Sequence, residues 1–219
     1  LDRLTAAHGR TMSGVHGADY RYAYDALGRM TSNSRFGSLA GYSLEYQYPD
    51  QPQADTPYHS PKAIRFKDGP PANPLVLAHT FQYDLAGNLV RSTNEAAALA
   101  ANDLDRSYVW DALGRLRTVT HAGKTTHFTY DHAGQRVRKS DSTGQSVVYV
   151  GNIMEITGAG ITKHIFAGRD RIATIKSDNT KLFYMTDHLK SSTLITDATG
   201  NVVQRMDYTP YGTLIQNAQ

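Results

Sequence analysis

The sequence contains no cysteine. This excludes disulfide bonds and cysteine-ligated metal sites, but it leaves the compartment open, since a large secreted β-protein need not use disulfides. No apolar run approaches the roughly 18–20 residues that a membrane-spanning helix needs. Lysine and arginine are spread along the chain, and the formal net charge is +3, so a nucleic-acid-binding patch is not indicated. The chain starts at Leu1 without an initiator methionine or signal peptide, and we expect an internal fragment or a processed product.

Helix-forming patterns are also scarce. The only good helix candidate covers residues 94–104, with Asn94 or Thr93 as its N-cap. In contrast, tyrosine is frequent, with 14 residues, and hydrophobic residues make up 40% of the chain. This composition excludes a disordered chain and indicates a folded protein that is large enough to bury a core.

The main feature of the sequence is a repeated unit with two aromatic residues, an aspartate and a glycine. Each full copy reads aromatic-x-aromatic-Asp-x-x-Gly, and two shorter copies keep only Asp-x-x-Gly. The full copies contain Asp25 and Gly28, Asp84 and Gly87, Asp111 and Gly114, and Asp131 and Gly134. The shorter copies contain Asp141 and Gly144, and Asp197 and Gly200. The copies are unevenly spaced, so the repeat does not predict a strict solenoid.

The unit reads as a strand, a tight turn and a second strand. Tyr22 and Tyr24 are two residues apart, so both rings project from one face of an extended strand. Asp25 suits the first position of a type I turn, because its side chain accepts backbone N–H groups. Gly28 suits the left-handed residue that closes a tight hairpin with a bulge. We therefore interpret the repeated aspartates as turn caps rather than as calcium ligands or acid–base groups.

The organisation of the whole chain follows from this unit. Residues 42–48 and 62–66 read as further strands, and turn signals recur about every 10 residues from residue 108 onward, which is typical of an all-β meander. We expect YD repeats over residues 1–140, a proline-rich insertion at 49–74 and a distinct C-terminal region at 141–219. No linker separates these parts, so the sequence predicts one continuous sheet of antiparallel β-hairpins.

The repeat and several C-terminal motifs resemble the Rhs/YD-repeat family. The aromatic-x-Tyr-Asp-x-x-Gly unit is the YD repeat itself. Further on, the chain resembles the family's Rhs-associated core in three ordered segments. They contain Asp187, His188 and Leu189; Asp197 and Gly200; and Tyr208, Pro210 and Gly212. Residues 59–64 also resemble a segment found between YD repeats, and the whole resemblance covers about residues 20–215.

The resemblance implies a structural shell. In bacterial Rhs proteins and the C component of Tc toxin complexes, YD hairpins wind into a spiral sheet, a hollow cocoon that holds a C-terminal toxin segment. The chain is then expected to be a shell segment that encapsulates an effector, without a cofactor. Its expected partners are the remainder of the shell, the toxin and a delivery-system protein. Its expected location is outside the producing bacterium, reached by a type VI or Tc-like route.

The sequence departs from the family pattern at two points. Lys190 stands where the family usually has glycine, so we expect that this position lacks a positive φ. The family's Arg-Tyr-Tyr and Asp-Pro-x-Gly-Leu elements are missing, and the self-cleaving aspartates belong to that region. We therefore assign no catalytic residue and expect that the chain is not an enzyme.

Three other interpretations remain open at this stage. His121, His127 and His132 lie close in sequence, but no His-x-His or His-x-x-x-His pair supports a metal site. Asp187 and His188 precede two serines, yet sequence adjacency does not make a hydrolase triad. The third is a surface adhesion module in which tyrosine rows bind carbohydrate, because aromatic rings stack on sugars. The competing interpretation is that these rings pack on one another along the sheet.

Overall fold

A computed structural model describes residues 3–10, 17–37, 42–51, 57–66, 79–94 and 105–218. Within these ranges the regular secondary structure consists of β-strands without a helix, which confirms the all-β prediction. No helix in the described part of the chain is long and apolar enough to cross a membrane. The chain divides into two compact units, Leu1–Thr125 and Thr126–Gln219.

The first unit contains nine strands in its described ranges. They are β1 (Ala6–Arg10), β2 (Gly17–Tyr24), β3 (Met30–Gly37), β4 (Tyr42–Gln47), β5 (Ala63–Phe66), β6 (His79–Tyr83), β7 (Leu89–Asn94), β8 (Arg106–Trp110) and β9 (Leu116–His121). Each strand pairs antiparallel with the next one in sequence. The predicted strands at 42–48 and 62–66 correspond to β4 and β5.

The second unit continues the same pattern with ten strands. They are β10 (Lys124–Tyr130), β11 (Arg136–Asp141), β12 (Ser146–Val150), β13 (Met154–Thr157), β14 (Gly160–Ala167), β15 (Asp170–Ile175), β16 (Lys181–Thr186), β17 (Ser192–Thr196), β18 (Val202–Tyr208) and β19 (Leu214–Ala218). Consecutive strands again pair antiparallel. The antiparallel hairpin meander predicted from the repeat is therefore confirmed.

The predicted helix over 94–104 begins at a residue that the structure places in a strand. Thr93 and Asn94 belong to β7, where they pair with β6. Residues 95–104 lie outside the described residues, as do residues 52–56 and 67–74 of the proline-rich insertion.

Few described side chains are buried. In the first unit the buried positions include Tyr20, Tyr22 and Ala63, and Pro49 is enclosed almost completely. In the second unit they include Ile195 and Met206. Most large apolar residues of the second unit remain partly exposed, because its strands pair edge to edge and each strand shows two faces.

The register assigns side chains of the second unit to these two faces, since directly opposed residues of an antiparallel pair project from the same side. One side, called here the ring face, carries Phe128, Lys139, Tyr149, Glu155, His164, Thr174 and Tyr184. The other side, called the apolar face, carries Arg138, Val148, Ile156, Ile161, Lys163, Ile165, Lys181, Phe183 and Met185.

Candidate functional site

The turn at Asp111 shows how the repeated unit is built. The Asp111 amide donates to the carbonyl oxygen of Arg115 at 2.9 Å, and the Gly114 amide donates to the carbonyl oxygen of Asp111 at 3.0 Å. The Asp111 side chain lies inside this loop, where Oδ1 accepts the amides of Leu113 and Arg115, each at 2.9 Å. The carboxylate thus satisfies the amides that the tight turn leaves without a backbone partner.

The same pair of backbone hydrogen bonds closes the other turns of the repeat. These turns begin at Asp25, Asp84, Asp131, Asp141 and Asp197. Their fourth residues are Gly28, Gly87, Gly134, Gly144 and Gly200, which have φ between +80° and +90°. A bulge follows the turns of the four full copies and the turn at Asp197, in the register of the strands that they join.

Asp187 starts a turn of the same kind, although its segment was recognised only as a core-like motif. The Lys190 amide donates to the carbonyl oxygen of Asp187 at 3.1 Å, and the Asp187 amide donates to the carbonyl oxygen of Ser191 at 3.0 Å. Lys190 takes a φ of +70°, so the expectation that it lacks a positive φ was wrong. The turn's hydrogen bonds hold the backbone in this shape whatever the side chain, and Lys190 Nζ contacts Asp170 Oδ2 at 2.7 Å.

A further turn of this geometry begins with threonine instead of aspartate. The Gly212 amide donates to the carbonyl oxygen of Thr209 at 2.9 Å, and the Thr209 hydroxyl accepts the Thr213 amide at 3.0 Å. Pro210 lies inside this turn. The Tyr208 hydroxyl donates to the carbonyl oxygen of Ser192 at 2.9 Å. The spacing between Thr209 and Gly212 is the sequence signal that could have revealed this turn.

Sequence reasoning missed the part played by the residue after the glycine. Arg29 Nε donates to Asp25 Oδ2 at 2.6 Å, and Arg29 Nη1 donates to the carbonyl oxygen of Tyr58 at 2.8 Å. The Arg29 guanidinium also lies 4.6 Å from the ring centroids of both Tyr48 and Tyr58. This arginine therefore ties the described part of the proline-rich insertion to the first turn of the repeat.

Hydrogen bonds lower the pKa of several turn aspartates. The side chains of Thr199 and Asn201 lower the pKa of Asp197 to about 2. The Asn88 side chain lowers the pKa of Asp84, and the Arg115 backbone amide lowers that of Asp111. A carboxylate held ionised with its oxygens occupied is a poor general acid or base at neutral pH. This arrangement suits a structural cap.

The other motif-based candidates do not come together as reactive sites. Asp187 Oδ1 accepts the backbone amides of Leu189 and Ser191, at 2.8 and 2.9 Å, so this oxygen is engaged within its own turn. Over the described ranges, no group of three or more histidine, aspartate and glutamate side chains is placed to hold a metal ion. The set His121, His127 and His132 thus forms no such cluster.

A carboxylate, an imidazole and a hydroxyl do meet on the ring face, although no sequence motif marks their positions. His164 Nδ1 lies 3.0 Å from Thr174 Oγ1, and Nε2 lies 3.5 Å from Glu155 Oε1. Thr174 is only 3% exposed, so its hydroxyl is closed to a substrate. We interpret this group as packing between β13, β14 and β15.

Guanidinium groups cover several rings of the ring face. Arg136 lies 4.8 Å from the ring centroid of Tyr149 and 5.6 Å from that of Phe128. Arg171 lies 4.3 Å from the ring centroid of Tyr184. Because a sugar would need the same ring surfaces, these rings are poorly placed to bind one.

Comparison with known proteins gives one family and a set of solved structures. The family model described as Teneurin YD-shell matches residues 6–219. The crystal structure of TcdB2-TccC3-TEV superposes with a TM-score of 0.67 at 17% identity, covering 98% of this chain and 12% of that one. A Tc holotoxin pore from Photorhabdus luminescens with a mutated TccC3 gives a TM-score of 0.44 at 17% identity, covering 98% of this chain and 14% of that one. No match to a curated protein reaches significance.

Proposed function

The chain belongs to the teneurin YD-shell family, and we propose that the shell to which it contributes encloses a C-terminal effector polypeptide. The role of a structural shell segment follows from the family match over residues 6–219. The solved structure that it resembles in fold is much longer, and the chain spans 12% of it. Enclosure of an effector is therefore proposed for the larger protein, and this chain forms one segment of its shell wall.

The observation that carries the proposal is the repeated turn. A wall made from one meander needs every hairpin to close tightly and every turn amide to find a partner, because unpaired backbone groups and open edges destabilise a sheet or promote association. At Asp25, Asp84, Asp111 and Asp197 the carboxylate accepts two amides of its own turn. The aspartates of the repeat, which look most like catalytic groups, thus stabilise the turns of the wall.

We infer that the segment itself catalyses no reaction. The support is chemical, since the aspartates that most resemble catalytic groups are engaged in turns and the buried Thr174 hydroxyl is inaccessible. A direct test is to incubate the purified chain and analyse it by intact-mass spectrometry. We expect one unchanged mass, and a discrete self-cleavage product would overturn the inference.

The family resemblance also supports a division of the chain into two regions and a set of partner proteins. We propose that residues 1–140 are YD wall and that residues 141–219 are the core-like region, with Asp187, His188, Leu189, Tyr208, Pro210 and Gly212 as its markers. The proposed partners are the remaining shell, the enclosed effector and a delivery-system protein. The similar crystal structure is of a TcdB2-TccC3 assembly, which supports a secreted or delivered toxin as the larger protein.

Enclosure is tested by limited proteolysis of the whole native toxin protein that contains residues 1–219. A folded wall excludes a protease, so we expect the C-terminal effector region to resist digestion while the shell is intact. The same region expressed alone, or released by denaturant, is the control and is expected to be digested rapidly. Equal digestion of the region inside and outside the shell would contradict the proposal.

A further inference from the structure

The hairpin turns of the second unit lie on two opposite rims of its sheet, because consecutive strands pair antiparallel and alternate turns come to the same end. One rim, called here the tip rim, contains the connections β10–β11, β12–β13, β14–β15, β16–β17 and β18–β19. The other, called the cleft rim, contains the connections β11–β12, β13–β14, β15–β16 and β17–β18. Two rows of turns thus lie at the two ends of the strands.

The two rims differ in the residues that their turns expose. Ile153, Leu189 and Tyr211 lie in three connections of the tip rim, and each is more than half exposed. The turns of the cleft rim, all within the described residues, expose small or polar residues instead, at 142–144, 158–159, 177–179 and 198–200. Exposed apolar residues that recur along one rim indicate a contact surface, whereas isolated ones would need no explanation.

The turns themselves do not require these apolar residues. In the turns at Asp141 and Asp197 the third residue is threonine, whose hydroxyl donates to the aspartate Oδ1 at 2.6 and 2.8 Å. In the turn at Asp187 the same position is Leu189, which donates only its amide, at 2.8 Å. Leucine here gives up a hydrogen bond and stays exposed, so the turn gains nothing from its side chain and a partner could.

The first unit shows the same preference in its own turns. Leu27 and Leu113 are the third residues of two YD turns, and Leu85 is the second residue of another. Each of these side chains is more than half exposed. The turns join β2 to β3, β6 to β7 and β8 to β9, so they lie at one end of the strands of this unit. An apolar rim is therefore a property of the repeat and not of a single hairpin.

The cleft rim of the second unit has two clefts between neighbouring turns. The first, of about 580 Å³, lies between residues 141–144 and 157–160, with Val147 in its lining. The second, of about 540 Å³, lies between residues 157–160 and 176–179, with Ile161 and Ile175 in its lining. A cavity of roughly 150 Å³ already accommodates benzene, so each cleft is wide enough for a leucine or tyrosine side chain.

Tips and clefts recur at the same interval. Consecutive turns on one rim are separated by two strands, which is about 9–10 Å. This two-strand interval separates Leu189 from Tyr211, which lie in consecutive turns of the tip rim. It also separates the two clefts, which lie on either side of one turn. A row of tips can therefore enter a row of clefts in register.

Resting on the proposed shell function, we propose that the tip rim docks on the cleft rim of another hairpin row of the same wall, with Leu189 and Tyr211 entering its clefts. Side chains make this contact, because the turn amides at Asp141 and Asp187 already donate to their aspartates. A wall of hairpins supplies such rows beyond this chain, which spans 12% of the solved chain that it resembles in fold. A tip-to-cleft contact is heterologous, so each row keeps a free rim for the next one.

Engineered cysteines test the contact, since the native chain contains no cysteine. His188→Cys places a thiol next to Leu189 on the tip rim, and Ala159→Cys places one in the lining of the first cleft. The two full-chain variants, one of them mass-tagged, are mixed and oxidised, so that a second copy of the chain acts as the neighbouring row. We expect the mixed disulfide dimer to exceed either like-with-like dimer at least about fivefold by intact-mass spectrometry. No excess of the mixed dimer would overturn the inference.

The control for this pairing is Ile165→Cys, which places a thiol at an exposed apolar residue on the apolar face instead of a rim. Mixed with His188→Cys, it is expected to give at least about fivefold less disulfide dimer than Ala159→Cys does. An equal yield would mean that the tip rim contacts apolar surface without preference for the clefts, which contradicts the proposal.

Removal of the apolar tip tests the role of Leu189 without moving the thiol. Leu189→Thr added to His188→Cys is expected to lower the mixed-dimer yield at least about threefold, because less apolar surface enters the cleft. Ile165→Thr added to the same variant is the control and is expected to leave the yield unchanged. Urea denaturation checks folding, and no loss of stability is expected for Leu189→Thr, since threonine at this position bonds the aspartate in the turn at Asp197. Equal yields from the two variants would contradict the role of the tip.

A lipid surface as the partner of the tips gives a different result. Cosedimentation of the chain with phosphatidylcholine vesicles that is lost in Leu189→Thr, without a mixed disulfide dimer, would assign the tips to a membrane and overturn the inference. Protection of the effector from protease in the whole native protein does not depend on these assays. A missing mixed dimer with a protected effector would therefore overturn the rim contact alone, and a digested effector would contradict the shell proposal.

Discussion

Each turn aspartate acts on the amides of its own loop. In the turn at Asp197, Oδ1 accepts the amides of Thr199 and Asn201, at 2.8 and 2.9 Å, while Oδ2 accepts the Asn201 side chain at 3.0 Å. The fourth residue must take a left-handed conformation for these bonds to form. The aspartate and the glycine therefore matter for different reasons, which substitutions separate.

The glycine requirement is tested by Gly200→Ala, with Gly158→Ala as its control. A methyl group added at either position would meet no atom within 4 Å, but only Gly200 has a left-handed φ, at +90°. Backbone strain alone is then expected to lower the free energy of unfolding of Gly200→Ala by about 1–2 kcal/mol. Urea denaturation of Gly158→Ala is expected to show no loss, and equal losses in both variants would refute the strain argument.

Lys190 adopts a left-handed backbone conformation that is less favourable for lysine than for glycine. Its φ of +70° is unfavourable for a residue with a side chain, by about 1–2 kcal/mol. Its exposed ion pair with Asp170 at 2.7 Å stabilises the folded protein by about 0.2–1 kcal/mol at low salt. We predict that Lys190→Gly raises the free energy of unfolding, more so at high salt, where the lost ion pair is already screened.

Asp170→Asn is the control for Lys190→Gly, because it removes the ion pair and leaves the backbone unchanged. Its effect on urea denaturation is expected to be small and to vanish at high salt. A decrease in the stability of Lys190→Gly at high salt would show that the left-handed conformation is not strained there.

The low pKa of Asp197 predicts how stability depends on pH. Hydrogen bonds from Thr199 and Asn201 lower this pKa to about 2 in the folded protein, whereas an unfolded aspartate titrates near pH 3.9. The resulting stabilisation is fully present above about pH 4 and is lost as the pH falls toward 2. Unfolding measured from pH 5 to pH 2 is expected to show a shrinking difference between the native chain and Asp197→Asn. A difference that grows on acidification would contradict the assigned cause.

Residue-level prediction succeeded where the aspartate and glycine mark the turn directly. It failed at Lys190, because sequence preference reports the cost of a left-handed residue and not the hydrogen bonds that impose it. It also missed Arg29, because no local pattern shows that Tyr48, at the end of a predicted strand, and Tyr58, in the proline-rich insertion, both lie beside this arginine. Long-range side-chain contacts of this kind need the register of the strands.

At the scale of the elements, the described part of the proline-rich insertion is held by side chains rather than by a strand ladder alone. Tyr58 stacks on Arg29, and the Tyr83 hydroxyl donates to the carbonyl oxygen of Pro61 at 2.9 Å. The Lys62 amide donates to the carbonyl oxygen of Gln47 at 2.8 Å. These contacts position β5 between β4 and β6.

The stacking of Tyr58 on Arg29 is tested by Tyr58→Leu, with Tyr58→Phe as the control that keeps the ring. Loss of the ring is expected to cost about 0.5–2 kcal/mol of cation–π energy. Hydrogen exchange of the amides in residues 57–66 is expected to accelerate in Tyr58→Leu alone. Acceleration in both variants would point to the hydroxyl group instead of the ring.

The alternation in residues 42–48 and the β-prone run at 62–66 were enough to predict β4 and β5. The end of β7 shows the limit of such patterns. Thr93 and Asn94 have side chains that favour helix N-caps, and both residues pair with β6 in the sheet. Local preference does not reveal which partner a segment has across a sheet.

At the scale of the whole molecule, an isolated wall segment exposes surfaces that a complete shell would cover. Within the described residues, β19 pairs only with β18, and the apolar face of the second unit is open. Open edges and apolar surfaces promote association. We predict that the chain alone forms oligomers or aggregates in multi-angle light scattering, and a monodisperse, heat-stable monomer would contradict this.

The family resemblance in the sequence was sufficient to predict the shell role at this scale. Four YD units and the ordered motifs at 184–212 specify a strand-turn-strand wall. The sequence did not reveal the two chemically different faces of the second unit. Those faces depend on the register of the paired strands, which decides the side on which each residue projects.

The shell assignment is tested by cryo-electron microscopy of the whole native protein that contains residues 1–219. We expect these hairpins to form part of a continuous β-wall around an internal volume. A map in which residues 1–219 form a separate domain that encloses no volume would contradict the shell assignment.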